Sequence, residues 1–236
     1  MKIFSTILLL LSSLNSFSKD HAWYSDFISP VTTDAKYITM GGLAATLMVY
    51  SNKSHRTYRK RDSLDQAKPF KDYGIVGDIM GRGLLNATYA IGFLAHGYFA
   101  ENDNSLRSGE HMAKASLYAT SLVMVTKFLV SERRPGYPDD DDSFPSGHAA
   151  GSFAFASVVA ARHGWYWGGA AYSVASFISI SRINDDFHYL HDVVAGATIG
   201  AAFGWGTYYN YKSGKPYFLA PILVDDGGGL NISWSY

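Results

Sequence analysis

KFLVSERRPGYPDDDDSFPSGHAA, residues 127–150, and SRINDDFHYLHD, residues 181–192, decide how this chain is read. The first opens on Lys127 and reaches Arg134 seven residues on, about two helical turns, so the two cations can point the same way. Pro135 restricts Arg134 and ends the helix there. Pro145 closes the connection that follows, Ser146 has the chemistry of an N-cap, and Gly147 and His148 open the next helix. In the second stretch His188 and Asp192 stand four apart, which puts them on one face of a helix beginning at His188.

Working outward, these residues make an inventory for holding a tetrahedral oxyanion. Asp192 can accept from one ring nitrogen of His188, fixing its tautomer and leaving the other nitrogen as nucleophile or base. Arg182 offers a planar fork of donors to phosphate oxygens. A helix N-terminus binds anions through its free N–H groups, so the Ser146 hydroxyl and the amides of Gly147 and His148 can cradle a phosphoryl group. Bound phosphate favours the cationic form of a nearby His148, which suits a general acid. Lys127 interrupts the apolar stretch Leu122–Val130, where a buried ammonium needs an anionic partner. Each patch alone also has a plain structural reading: a capped helix, a His–Asp pair, cations snorkelling at a helix end. The residues by themselves leave open which histidine is the nucleophile.

Taken together, Lys127, Arg134 and Pro135, then Pro145, Ser146, Gly147 and His148, then Ser181, Arg182, His188 and Asp192 resemble the type 2 phosphatidic acid phosphatase (PAP2) superfamily. That superfamily also contains bacterial acid phosphatases and vanadium haloperoxidases. The resemblance implies an all-α, PAP2-type bundle of about six core helices. It implies that His188 attacks phosphorus to form a phosphohistidine and that Asp192 orients it. His148 would protonate the leaving group and then activate water. Lys127, Arg134, Ser146, Gly147 and Arg182 would bind the phosphate, with no metal and no cofactor.

Two acidic stretches depart from a simple anion site. Asp139, Asp140, Asp141 and Asp142 lie between the first two patches, and Asp185 and Asp186 lie between Arg182 and His188. Carboxylates facing an anion site repel substrate, so the favoured expectation for the run at 139–142 is an outward, solvated loop; a cation site or a selective gate is the alternative. His191 lies about 100° around the helix from Asp192 and is expected in packing or behind the site.

The chain has 236 residues, enough for one domain with a sizeable core. Lys and Arg number 20, as do Asp and Glu, and no basic stripe speaks for nucleic acid. Cys is absent, which excludes a disulfide framework and a thiol nucleophile. Lys2, the apolar run Ile7–Leu11 and small residues at Ser16 and Ser18 have the form of an export signal. The expected organisation is a signal peptide at 1–18, a PAP2-like phosphatase domain at 19–213 and a tail at 214–236. Leu230, Ile232, Trp234 and Tyr236 alternate with polar residues after a glycine-rich turn, so the tail is expected as a β-hairpin.

Helices are expected at Tyr37–Tyr50, at Tyr73–Ala100 with a break at Gly81 or Gly83, and at Ser108–Ser131 with Ser108 as N-cap. Others are expected at His148–Arg162, Trp165–Ser181 and His188–Tyr211. Gly83–Ala100, Gly164–Ser181 and Val193–Tyr211 are charge-free runs near spanning length. Their Gly, Ser and Tyr content and a mean hydropathy of −0.03 favour a soluble or peripherally attached bundle over an integral one. The charged segment between Lys53 and Lys68 is expected as a solvated loop or short polar helix, with a surface for anionic headgroups as the alternative.

The expected function is a metal-independent phosphatase outside the cytoplasm, periplasmic or membrane-associated. Its expected substrates are phosphate mono- or diphosphate esters, lipid or amphiphilic before small and soluble, with a membrane surface as a contact. The alternatives are a soluble nonspecific acid phosphatase, a vanadate-dependent haloperoxidase and a non-catalytic envelope scaffold.

Overall fold

A computed structural model describes residues 23–51, 68, 70–137, 139–213, and the backbone of 217–224 and 227–234. The export signal expected at 1–18 and most of the charged segment between Lys53 and Lys68 lie outside the described residues. Residues 23–213 form helices and contain no strand among those described, as expected for an all-α body; the hairpin at 214–236 remains an expectation of the sequence.

The helices are α1 (Trp23–Thr32), α2 (Lys36–Ser51), α3 (Gly74–Gly81), α4 (Leu84–Phe99), α5 (Asp103–Val130), α6 (Gly147–Asn184) and α7 (Leu190–Ser213). Gly83 separates α3 from α4 in the left-handed region (φ 83°), a backbone conformation that costs glycine little. The α5 helix begins five residues before the expected Ser108. Its N-cap is Asn102, whose side chain accepts from Ser105 N, while the Ser108 hydroxyl turns back to the carbonyl of Asn104. The two helices expected at 148–162 and 165–181 are joined into α6, with a kink at Gly164 (φ 84°, ψ 176°).

α6 and α7 pack along a stripe of small residues. Gly196, Gly200 and Gly204 on α7 meet Ser146, Ala150, Ala154 and Ser157 on α6, and a Cβ at any of the three would collide with backbone or side-chain atoms there. Spacing of four residues keeps the stripe on one face. The core around it is built largely of alanines, with Met112, Val158, Tyr118 and Phe203 filling the wider gaps. Small side chains let the helix backbones come close, which is how the N-termini of α6 and α7 are brought side by side.

A buried polar group fastens α1 to the bundle. Lys114 pairs with Asp26 at 2.9 Å and with Glu110 at 2.7 Å, and Asn210 donates to Asp26 at 2.8 Å. The charges are mutually satisfied, as burial requires.

Among the described residues one helix, Asp103–Val130, is long and apolar enough to cross a membrane. That is not one of the three runs picked out in the sequence. Large apolar side chains are exposed on several helices: Met40, Leu43 and Leu47 on α2, Ile75 and Ile79 on α3, and Met124, Phe128 and Leu129 on α5.

Candidate active site

The site is assembled where α5 ends, α6 begins and ends, and α7 begins. Lys127 stands in the last turn of α5, which Ser131 closes in the left-handed region. The connection that follows is held by Arg134 N donating to Asp140 O, Ser143 N to Glu132 O and Gly136 N to Asp186 O. These bonds fold residues 134–143 back over the two motif loops, so Arg134 faces the same space as Lys127. Both guanidinium groups of the site pack on one ring: Arg134 lies 5.5 Å and Arg182 5.0 Å from the centre of Phe187.

Ser146 is the N-cap of α6, as expected, with its hydroxyl facing Ala149 N at 3.4 Å. Its own N–H donates to the carbonyl of Asp192 at 3.0 Å, joining the start of α6 to the start of α7. Gly147 opens the helix beside it.

His188 and Asp192 come together, but not on a common helix. α7 starts at Leu190, and His188 lies in the turn before it. Asp192 caps that start by accepting from Tyr189 N at 2.8 Å, and it also accepts from the Ser143 hydroxyl at 2.6 Å. Its Oδ2 lies 3.6 Å from His188 Nδ1, an ion-pair distance longer than a hydrogen bond. The Nδ1 edge of the ring therefore faces the carboxylate, and Nε2 is the nitrogen turned away from it.

His148 and Arg182 meet a residue the sequence reading passed over. Asp78 Oδ1 lies 2.6 Å from Arg182 Nη1 and 3.2 Å from His148 Nε2. Asp185 takes a second contact from Arg182, at 3.1 Å. Arg182 is only 1% exposed, so these two carboxylates balance its buried charge. The signal for Asp78 was present in the sequence: it is the one charged residue in Gly74-Ile75-Val76-Gly77-Asp78-Ile79-Met80-Gly81.

The acidic run follows the expected outward loop at three positions and departs from it at one. Asp139, Asp140 and Asp141 are exposed, but Asp142 turns inward. Its Oδ1 accepts from Arg134 Nε at 2.7 Å, its Oδ2 lies 3.7 Å from Lys127 Nζ, and its backbone carbonyl accepts from Lys127. The physical reason is that two half-buried cations on a short connection draw in the nearest carboxylate.

His191 is buried behind the site, as expected for a supporting residue. Its Nε2 lies 2.9 Å from both Glu132 Oε2 and Asp192 Oδ1, and its ring stacks on Phe144 and Tyr189. Glu132, His191 and Asp192 have a donor set that could hold a metal ion. Asp192 is, however, already engaged by Ser143, Tyr189 and His188, and an imidazolium between two carboxylates accounts for the cluster without one.

Electrostatics divide the histidines. Burial pushes His148 down to about 4, with Arg182 adding to the push and Asp78 opposing it. Burial also lowers His188 against the pull of Asp192, and Lys127 and Arg134 lower it further. Both rings are thus neutral at pH 7. Burial works against the cation on His191 too, but Asp192 and Glu132 outweigh it and hold its pKa at about 9. Asp192 resists its burial through the facing His188 and His191 rings and the Ser143 hydroxyl, and stays well below the usual carboxylate range. Burial lowers Lys127, with Asp142 restoring part of the loss. The site therefore offers a neutral imidazole with an ionised carboxylate behind it, a second neutral imidazole on another carboxylate, and three cations around them.

Against known proteins, the model of the PAP2 superfamily matches residues 98–214. A lipid A 1-phosphatase of Porphyromonas gingivalis is similar to this chain, 40% identical over 94 residues, which cover 38% of this chain. The matched region spans about one fifth of that relative's length, 19%. No solved structure matches the chain.

Proposed function

We propose, from the premise that residues 98–214 of this chain belong to the PAP2 superfamily, that the protein is a phosphatase acting on lipid phosphate esters. The observation that carries the lipid half of this reading is the exposed apolar surface of two helices that also bear residues of the site. Ile75 and Ile79 are exposed on the helix that bears Asp78, and Met124, Phe128 and Leu129 on the helix that bears Lys127. Exposed apolar side chains on the helices that carry a cationic site suit a substrate with a charged head and an acyl tail. The similarity to a lipid A 1-phosphatase supports the same class.

In this reading Lys127, Arg134 and Arg182 hold the phosphoryl oxygens, helped by the Ser146 hydroxyl and the amide of Gly147. His188 Nε2 attacks phosphorus while Asp192 faces Nδ1 and stabilises the charge that develops on the ring. The P–O bond to the alcohol breaks, and His148 supplies the proton that the leaving oxygen takes up. Water then attacks the phosphohistidine, His148 takes a proton from it, and the P–N bond breaks to release inorganic phosphate. Fixed cations around the developing charge supply the preorganisation.

We place the domain at 19–213, with 214–236 as a hairpin tail. The sequence of residues 1–18, read as an export signal, supports a site outside the cytoplasm, periplasmic or at a membrane surface.

A panel on the purified full chain tests the function. Phosphatidate, phosphatidylglycerophosphate, a phosphorylated glycolipid, a polyprenyl diphosphate and 4-nitrophenyl phosphate are compared for phosphate release. Release from the amphiphiles, preferred over the aryl ester and blocked by vanadate, is the expected result. Equal or better turnover of the soluble ester would make it a nonspecific acid phosphatase, and no release from any would defeat the reading.

A further inference from the structure

Resting on the phosphatase reading, we propose that Asp78 is a positioning residue for the leaving-group step: it holds Nε2 of His148, so that Nδ1 is the nitrogen that gives its proton to the departing oxygen.

The placement of Asp78 follows from the glycines around it. Gly74, Gly77 and Gly81 bring α3 against α6 and the turn after it, and a Cβ on them would collide with Asp185, with Ser181, and with His148 and Ile178 respectively. This approach takes one carboxylate oxygen of Asp78 to 3.2 Å from His148 Nε2 and to 2.6 Å from Arg182 Nη1. The backbone carbonyl of Asp78 lies 3.2 Å from the same ring nitrogen. Two acceptors from one residue converge on Nε2, and a carbonyl can only accept. The proton of neutral His148 therefore sits on Nε2 and the lone pair on Nδ1. His188 is arranged in the mirror sense, with Nδ1 facing Asp192 and Nε2 available. Each histidine of the site thus has one nitrogen held by a carboxylate and the other left for chemistry.

The charges that face His148 are Asp78 from α3, Arg182 from α6 and His188 from the turn before α7. Arg82, on the far side of Asp78, shares that carboxylate. Arg182 opposes protonation of His148, and Asp78 is the anion that offsets it. With a substrate phosphate bound beside it, His148 takes up a proton from solvent at Nδ1 to become the imidazolium, and when the P–O bond breaks it passes that Nδ1 proton to the alkoxide. It is left as the neutral Nε2–H tautomer, still bonded to Asp78. The attacking water later returns a proton to Nδ1.

Two measurements on the full chain in detergent decide this. The first is nitrogen NMR of histidine-labelled protein near neutral pH, with the His148 signal assigned by its loss in His148→Ala. Nε2-protonated His148 is expected, and an Nδ1-protonated ring overturns the proposal whether or not the protein has activity. The second compares Asp78→Asn with the unsubstituted chain on an alkyl phosphate, which needs its leaving group protonated, and on 4-nitrophenyl phosphate, which hardly does. A loss of about tenfold or more in kcat confined to the alkyl ester is expected for general-acid catalysis. Equal losses on both would make Asp78 merely structural, and a gain on both would make it a competitor for the phosphate site; either result overturns the proposal. If the unsubstituted chain releases no phosphate from any ester, the phosphatase reading fails, and the tautomer still decides what Asp78 does to His148.

Discussion

Asp142 Oδ1 accepts a hydrogen bond from Arg134 Nε at 2.7 Å, so a carboxylate of the acidic loop is held on one of the cations assigned to phosphate. A phosphate that binds Arg134 must compete with it. Asp142→Asn removes that competition, and inorganic phosphate and vanadate are expected to inhibit about fivefold more tightly, worth ~1 kcal/mol for a partly exposed pair. Inhibition constants measured for both chains check this; unchanged or weaker inhibition would mean that the carboxylate orders the loop and does not exclude anions.

The pH dependence follows from the two neutral imidazoles. The general acid must be protonated, and burial holds His148 at about 4 in the free protein. The nucleophile must be unprotonated, and His188 is lowered as well. Raising the pH from mildly acid values removes the proton from His148 without gaining nucleophile, so kcat/KM is expected to peak below pH 6.5 and fall towards alkaline pH. A profile that rises through neutrality would contradict the assignment of His148 as acid.

His188→Ala removes the proposed nucleophile and is expected to abolish phosphate release, a loss of at least about a thousandfold. Circular dichroism and the unfolding midpoint should change little. Near-normal turnover by the folded variant would remove the phosphohistidine from the mechanism.

His191 makes stability depend on pH. Its pKa is raised to about 9 in the folded chain by Asp192 and Glu132, above the ordinary value of about 6.5. Its contribution is fully present below about pH 6.5 and is lost as the pH rises through about 9. Urea unfolding should show about 3 kcal/mol lost over that window, and His191→Gln should flatten this part of the curve. An unfolding free energy that rises across the window in the parent chain would show that His191 is not held as a cation.

Gly196 and Gly151 give opposite expectations for the same change. A Cβ on Gly196 would collide with the Ser146 carbonyl and come within 3.1 Å of the Ala149 Cβ, whereas a Cβ on Gly151 meets nothing within 4 Å. Gly196→Ala is expected to cost about 1–3 kcal/mol by overpacking and to lower activity by displacing the turn that bears Ser146. Gly151→Ala should be neutral or stabilising by up to about 1 kcal/mol through helix propensity. Thermal unfolding of the two variants separates them.

The helices were legible because their signals are local. Apolar runs, the cap at Ser146 and the break at Gly83 all act within a few residues, and the described helices follow them; the stop expected at Pro135 comes earlier, since α5 ends at Val130 with Ser131 in the left-handed region and Arg134 stands in the connection. The residues of the three motifs were legible too, since spacing on a chain of known pitch fixes which side chains share a region. Even there, the helix carrying Asp192 starts at Leu190, because Asp192 itself caps the preceding turn and leaves His188 outside. Asn102 displaced Ser108 as a cap for a similar reason: cap geometry is decided by where the helix meets its neighbour, and only then by composition.

By itself, then, the sequence determined the helical class, the order of the elements and the cations and imidazoles available to one another. Only the tertiary structure decided what faces them. Asp78 and Arg182 are 104 residues apart and meet because a glycine face brings α3 onto α6. Asp142 turns inward, while Asp139, Asp140 and Asp141 stay in solvent, because Asp142 reaches both half-buried cations, whereas Asp140 comes only to 3.9 Å from Arg134. Contacts of this kind depend on the distance between helix surfaces and on the energy of leaving a buried charge unbalanced, and neither is written in the local spacing of residues.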